Sequence, residues 1–197
     1  MLEEYIRKFP IPHLINQPPW LITQNLSSIL VELLAGLDSS YSIQEGIAIH
    51  STARIESGVI LKPPVIIAAH CFVGAHSYLR GGVYLADSVT IGPGCEIKAS
   101  VISSHSAAAH FNFIGDSLIG SYVNMEAGSV IANYHNDRKD KRIIIYYEGQ
   151  KINTSAEKFG ALVGDQSKIG ANSVLSPGTV LPPGSIVPRL ALIDQSM

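Results

Sequence analysis

The sequence predicts an all-β solenoid, a parallel β-helix built from six-residue repeats, with a short helical segment before it and a β-hairpin thrown out of it. Three observations carry this. Starting at Ile49, steps of six reach Ile55, Leu61, Ile67, Val73, Leu79, Leu85, Ile91 and Ile97, large aliphatics without a miss. Four residues beyond each sit Ala53, Val59, Val65, Cys71, Ser77, Val83, Val89, Cys95 and Val101, all small or β-branched. Gly and Pro punctuate the intervals at Gly74, Gly92, Gly120, Gly170, Pro177 and Pro183. A step of six matches neither the 3.6-residue helical period nor a long two-residue alternation. It matches short strands joined by tight corners, with one aliphatic per flat face pointing inward. Three faces close a coil of about eighteen residues, and stacked coils bury the aliphatics in ladders.

Taken in order, the chain opens on residues 1–46, an N-terminal helical extension. Pro18-Pro19-Trp20-Leu21 predicts an ordered turn. Asn25 to Leu37 predicts an amphipathic helix with Leu26, Leu30, Leu33, Leu34 and Leu37 on one side, capped by Asn25 or Ser27 and ending near Gly36. Such a helix is marginal alone, so it is expected to pack on the first coil or on a neighbouring subunit. Residues 47–188 form the solenoid. Its ladder resumes in shifted phase at Ile119, Met125 and Ile131, and again at Val163, Ile169, Leu175, Leu181 and Val187. Between these blocks the step disappears over residues 134–160. There a polar run, Asn136 to Arg142, leads into Ile143-Ile-Ile-Tyr-Tyr147, Glu148-Gly149 and Gln150-Lys-Ile-Asn153, the pattern of a hairpin ejected from the stack. Residues 189–197 form a tail.

Composition sets limits on function. The 197 residues are 46% hydrophobic, 7% aromatic and only 15% charged, so the core is made of aliphatics and small residues and the chain is not disordered. A formal charge of −2 supplies no global field for nucleic acid or anionic membrane. The uncharged stretch from Pro63 to Leu79 is broken by Pro64, His70, Gly74, His76 and Ser77 and predicts no membrane span. The acidic start Met1-Leu-Glu-Glu lacks the order of a secretory signal, and two cysteines, Cys71 and Cys95, make no disulfide framework or paired metal motif. A reducing, cytoplasmic setting is expected.

One region is more specific than the repeat. Ala108-Ala-His110-Phe-Asn-Phe-Ile-Gly-Asp116, Ile119-Gly-Ser-Tyr-Val-Asn124-Met-Glu-Ala127-Gly128, Ile131-Ala-Asn133-Tyr134 and Lys158-Phe-Gly-Ala-Leu-Val-Gly-Asp165-Gln-Ser-Lys168-Ile-Gly170 stand together. This set resembles the acetyltransferase domain of N-acetylglucosamine-1-phosphate uridyltransferase/glucosamine-1-phosphate N-acetyltransferase, and in particular the archaeal-type sugar-1-phosphate nucleotidyltransferases that carry such a domain. The resemblance covers residues from about 47 to 188. It implies a left-handed coil, a homotrimer, acetyl-CoA as co-substrate and an amino-sugar 1-phosphate as acceptor. It implies His110 as the base that takes the proton of the attacking amine, chemistry suited to an imidazole that titrates near neutrality.

By the same resemblance the sugar phosphate falls to Arg80, Lys98, Phe113, Asn124 and Lys139. Arg80 and Lys98 are eighteen apart, one coil, so they stack and can converge on one phosphate. Phe113 stands where the family has tyrosine, which removes one hydroxyl. Acetyl-CoA falls to Ala127, Asn133 and Tyr134, with Lys168 and Arg189 as partners for its phosphates. Glu126 replaces a usual glycine there and is expected to crowd or repel. No nucleotidyltransferase domain or Gly-x-Gly-Thr-Arg loop is present in the chain, so uridylyl transfer is not expected.

Two other readings stay open. The γ-carbonic anhydrases share the fold and bind zinc through three histidines. His105 and His110 have their spacing and His70 precedes His105 by thirty-five residues, but Arg80-Gly81-Gly82 stands where those enzymes carry Arg-x-Asp. A non-catalytic scaffold or sugar-phosphate binder derived from a transferase is the other, suggested by Phe113 and Glu126.

Overall fold

Each large aliphatic in a six-residue ladder can leave water only if the next coil places its counterpart directly above it. Residues 1–195 of the computed structural model show that arrangement, while Ser196 and Met197 of the predicted tail lie outside the described residues. Three faces are built from parallel strands. The second face is a separate seven-stranded sheet running from Arg54–Ile55 through Phe72–Val73, Thr90–Ile91, Ala107–Ala108, Asn124–Met125 and Lys168–Ile169 to Ile186–Val187. The first face starts with Ile47–His50 and Val65–Ile67, and the third with Ile60–Leu61. Strands Tyr78–Leu85 and Glu96–Ile102 run around the corner between the third and first faces and join these two into one 13-stranded sheet. A short antiparallel strand, Tyr41–Gln44, pairs with Ile47–His50 at the first coil, and Leu192–Ile193 pairs with Val174–Leu175 at the last.

The inner ladder does not lapse after Ile97. Ile102, Ala108 and Ile114 hold the inward positions before Ile119 and are buried with the rest of the axial core. The shift of phase comes from two coils that are one residue shorter, in which Thr90 pairs with Ala107 and Ala107 with Asn124, seventeen residues apart. The first loss is visible at the third–first corner, where Gly81 and Gly82 on one strand face Ala99 alone on the next. Both glycines take positive φ, +71° and +91°, a conformation that a bulge of this kind demands.

A second core lies outside the prism. The outward residues of the first face, Ala48, Ile66, Val101, Leu118, Leu162 and Val180, are buried beneath the N-terminal extension and the insertion. Helix α1 (Leu2–Tyr5) contributes Leu2, and the loop after it Ile6, Phe9, Ile11 and Leu14. Helix α2 (Pro19–Leu34) contributes Ile22, Leu26 and Leu30. The helix therefore begins six residues before the expected Asn25. Pro19 sits in its first turn, where a missing N–H costs nothing, so the Pro-Pro pair starts the helix rather than forming a separate turn. Asn25 does not cap it, since its side-chain amide donates to the Leu21 carbonyl at 2.8 Å. The helix packs on its own chain.

The insertion forms the expected hairpin, Ile144–Tyr147 against Gln150–Asn153, with Glu148 and Gly149 both at positive φ in the turn. Ile143, Ile145 and Phe159 fold back over the first face, and Phe159 meets Trp20 edge-on at 6.4 Å. Burying such side chains contributes about 1.5–3 kcal/mol each. Tyr147 also hydrogen-bonds Glu4 through its hydroxyl, which ties the hairpin to α1. No helix among the described residues is long and apolar enough to cross a membrane.

Candidate active site

The coil geometry decides which predicted residues meet. His110 lies in the bend after Ala107–Ala108, at the corner between the second and third faces, with its side chain exposed. Its carbonyl accepts the N–H of Gly128 at 2.9 Å, and Phe111 donates to Pro93 at 3.2 Å, so the corner is pinned by coil-to-coil hydrogen bonds. Pairing of Ala108 with Met125, Met125 with Ile169 and Ile169 with Val187 then stacks Ala127, Ala171 and Arg189 on the same corner in successive coils.

On the second face beside this corner, Asn124 pairs with Lys168. These two, with Glu126, Pro188 and Arg189, line a groove of about 310 Å³. Glu126 is paired there. Its carboxylate accepts Nε and Nη2 of Arg189, both at 2.7 Å, and the N–H of Ala171 at 2.9 Å. The Arg189 hydrogen bonds, with that of Ala171, hold its carboxyl at a pKa of about 2.

Arg80, Lys98 and Phe113 occupy the third face. Arg80 and Lys98 are paired in register as their eighteen-residue spacing requires. Phe113 lies between Glu96 and Val130. Neither cation stands alone. Arg80 Nε donates to Glu96 Oε1 at 2.7 Å, and Lys98 Nζ donates to Asp116 Oδ2. Asn133, expected at the acyl donor, gives its side-chain amide to the same oxygen of Asp116. The ammonium has three donors and the guanidinium five, so the carboxylates orient both groups and leave N–H bonds pointing outward. Lys98 and Asp116 also line a cleft of about 590 Å³ with Gly81, Thr23 and Ser27 of α2, and Lys158 from the return of the insertion.

Tyr134 is exposed, with the ammonium of Lys141 over its ring at 5.1 Å, and Lys139 stands exposed further into the insertion. One chain thus places the residues on separate surfaces: Asn124, Lys168 and Arg189 on one side of the His110 corner, Arg80, Lys98, Phe113 and Asn133 on the other. His110 and Phe113 are three residues apart along one coil, with the bend of the corner between them. Glu96, Asp116 and the helix residues Thr23 and Ser27 carried no assignment from sequence. Asp116 carries only a near-register signal, since Lys98 pairs with Gly115 in the shortened coil and Asp116 is the next residue, and nothing in the sequence places α2 against the third–first corner.

The three histidines of the zinc reading do not gather within the chain. His70 and His105 lie on the corner between the first and second faces, where His105 stacks on Tyr122, and His110 lies on the next corner. Among the described residues no group of three His, Cys, Asp or Glu is placed to hold a metal ion.

Residues 43–136, which contain the His110 to Asp116 segment, match the family model of the GMPPB C-terminal domain. The chain is 32% identical over 139 residues to a bifunctional sugar-1-phosphate nucleotidylyltransferase/acetyltransferase of Sulfurisphaera tokodaii, 71% of this chain and 34% of that protein. It is 34% identical over 158 residues to the bifunctional protein GlmU of Methanococcus aeolicus, 77% of this chain and 37% of that protein. The chain spans about a third of the length of these curated relatives. Among solved structures it is similar to a putative acetyltransferase of Bacillus cereus, at 17% identity and TM-score 0.38, covering 68% of this chain and 71% of the other. Another is a mutant of perosamine N-acetyltransferase from Caulobacter crescentus in complex with CoA and GDP-perosamine, at 16% identity and TM-score 0.27, covering 74% and 51%.

Proposed function

We propose that this chain transfers an acetyl group from acetyl-CoA to the amine of an amino-sugar 1-phosphate, with His110 as general base. The observation that carries the reading is the position of His110. It is an exposed imidazole on the corner that divides a groove lined by Lys168, Arg189 and Asn124 from the third face with Arg80, Lys98 and Phe113. The relatives of Sulfurisphaera and Methanococcus support it, because both are bifunctional proteins and the first is named for acetyl as well as nucleotidyl transfer.

In this mechanism Arg80 and Lys98, oriented by Glu96 and Asp116, hold the acceptor phosphate. The phenylalanine at position 113 offers the sugar an apolar surface instead of a hydroxyl. A neutral amine is required because an ammonium has no lone pair to attack with. As the C–N bond forms and the thioester C–S bond breaks, the amine nitrogen gives its proton to the His110 imidazole and the CoA thiolate leaves. Lys168 and Arg189 supply cations for the phosphates of CoA, with Ala127 and Tyr134 along its path. Arg189 must exchange its bond to Glu126 for one to the ligand.

Because one chain holds the two binding surfaces on different faces, the proposal includes a homotrimer in which each site is closed by the next subunit. The first face is already covered by the chain's own extension, so the interface falls to the second and third faces. There Ile186, Leu192 and Val174 stand exposed at outward positions. A stable monomer by sedimentation at micromolar concentration would contradict this.

The test is thiol release from acetyl-CoA across a panel of amino-sugar phosphates, with wild type and His110→Ala. The variant is expected to bind both substrates and to lose about 10²–10⁴ in kcat. Full activity in His110→Ala would overturn the catalytic assignment. A second reading, a non-catalytic sugar-phosphate binder, is favoured by the closure of Arg189 onto Glu126; it predicts acceptor binding with no thiol release from any donor.

A further inference from the structure

At the corner between the first and second faces, away from the edge that carries His110, a cleft of about 410 Å³ is lined by Arg7, Lys8, His105, Tyr122, Asp165 and Gln166. Its floor is aromatic. The His105 and Tyr122 rings stack with centroids 4.8 Å apart and planes 17° from parallel, and Tyr122 is 60% exposed. Both residues sit at left-handed corner positions, with φ of 62° and 58°, where bulky side chains are uncommon. Their backbones are locked by the coil ladder, His105 N–H to Asp87 at 3.0 Å and Tyr122 N–H to Ser104 at 3.1 Å. Stacked face to face in successive coils, the two rings cover one face of each other and hold Tyr122 in a preset orientation, with much of its ring still open to solvent.

The mouth of the cleft is cationic. The loop after α1 is drawn onto the corner by Asp165, whose N–H donates to the Tyr5 carbonyl at 2.8 Å. One carboxylate oxygen of Asp165 accepts the N–H of Ser121 at 2.7 Å and the other the N–H of Arg7 at 3.1 Å. The one carboxylate lining the cleft is thus spent on main-chain donors. It holds Arg7 and Lys8 in place, and neither side chain is in an ion pair among the described residues.

A preset, largely exposed tyrosine ring next to two unpaired cations suits a planar heterocycle joined to phosphate. We propose that this cleft binds a nucleotide, with the base stacked on Tyr122 and the phosphates on Arg7 and Lys8. Stacking on an aromatic ring tolerates any base, because every base has a π-face, and the arginine fork matches phosphate oxygens. The strand Ala107–Ala108 separates the cleft from His110, so the site does not depend on the catalytic assignment. The nucleotide is either free or the adenosine end of CoA, and the binding chemistry is shared.

Calorimetric titration of the full chain with ADP, adenosine and inorganic pyrophosphate tests this. ADP is expected to bind more tightly than either fragment. Tyr122→Ala should weaken ADP by about tenfold or more, while Tyr122→Phe should retain it. Arg7→Ala keeps the main-chain N–H that anchors the loop to Asp165, so the fold persists; it and Lys8→Ala should each weaken ADP and pyrophosphate together and leave adenosine unchanged. CoA titrated into Tyr122→Ala separates the sources: loss of CoA binding points to its adenosine end, and retention with loss of ADP to a separate nucleotide. The proposal is overturned if ADP gives no heat at millimolar concentration, if pyrophosphate binds as tightly as ADP, or if ADP binding survives Tyr122→Ala and falls with Arg189→Ala.

Discussion

Removing Asp116 tests whether the third face is organised as described. Its side chain is 9% exposed and that of its partner Lys98 17%, and the same carboxylate oxygen takes the Asn133 amide. Asp116→Ala leaves an ammonium largely out of water and an amide without its acceptor. Breaking a buried ion pair on one side costs about 3–5 kcal/mol. The cleft beside Lys98 admits some water, which lowers the expectation to about 2–3 kcal/mol. For a chain of this size that is a fall in Tm of roughly 4–12 °C. Lys98→Met should cost about the same, because it strands the carboxylate. Lys98→Met/Asp116→Ala should cost much less than the sum of the singles, with a coupling of about 2 kcal/mol. Urea denaturation of the four proteins measures the cycle, and thiol-release kinetics on the same samples reads function. Lys98→Met is expected to raise the acceptor KM with little change in the KM for acetyl-CoA. Effects that add within about 0.5 kcal/mol would refute the pairing. A change confined to the KM for acetyl-CoA would show that Lys98 serves the other ligand.

Phe159→Ala removes a fully buried ring that joins the insertion to Trp20 and the first face, and should cost about 3–5 kcal/mol by urea denaturation, with faster amide exchange in the hairpin 144–153; a loss below about 1 kcal/mol would mean the outer core does not hold the insertion. Gly92→Ala would place a Cβ 1.5 Å from the Ala109 carbonyl oxygen of the next coil, so the variant should be insoluble or melt far below wild type, and normal melting would be inconsistent with that contact. Because Arg189 depresses the Glu126 carboxyl to about 2 in the folded state, the unfolded chain binds the extra proton in acid. Its stabilisation is complete above about pH 4.5 and lost as pH falls toward 2. Glu126→Gln should flatten that part of a Tm–pH profile, and an unchanged acid slope would show that the pair does not form. His135 is buried at the root of the insertion among Arg138, Asp137, Asp194 and Lys141, and burial, reinforced by Arg138, lowers its pKa. Protonation therefore favours the unfolded chain, and Tm should fall as pH drops below the ordinary histidine range; a His135→Gln variant with the same fall would assign it to other groups.

The solenoid was legible in the sequence because its restraint is periodic and local. An inward aliphatic every sixth residue with small residues at the corners admits one packing, and the pairing of Arg80 with Lys98 follows from the same arithmetic. The hairpin is legible for a different reason, because its Glu148-Gly149 turn and flanking β-branched residues are short-range signals. What escaped were events of a single residue. Ile102, Ala108 and Ile114 were missed because two shorter coils shift the count, and Ala108 is too small to stand out in a ladder of large aliphatics.

The tertiary structure alone decided what covers what. The sequence identifies α2 as amphipathic but not its destination, and the outward apolar residues of the first face, among them Ile66, Leu118 and Leu162, read as ordinary strand residues until the extension and insertion are laid over them. Charges follow the same rule. Glu126 reads as a repulsive intrusion, yet it is the acceptor for Arg189, which lies sixty-three residues on in sequence and on the same corner in space. Asp165 and the loop at Arg7, separated by most of the chain, meet only because burial of the first face brings α1 against the strand Ala161–Val163. A sequence records which side chains a repeat turns inward; which surfaces those coils then share is fixed by burial and charge between segments far apart in the chain.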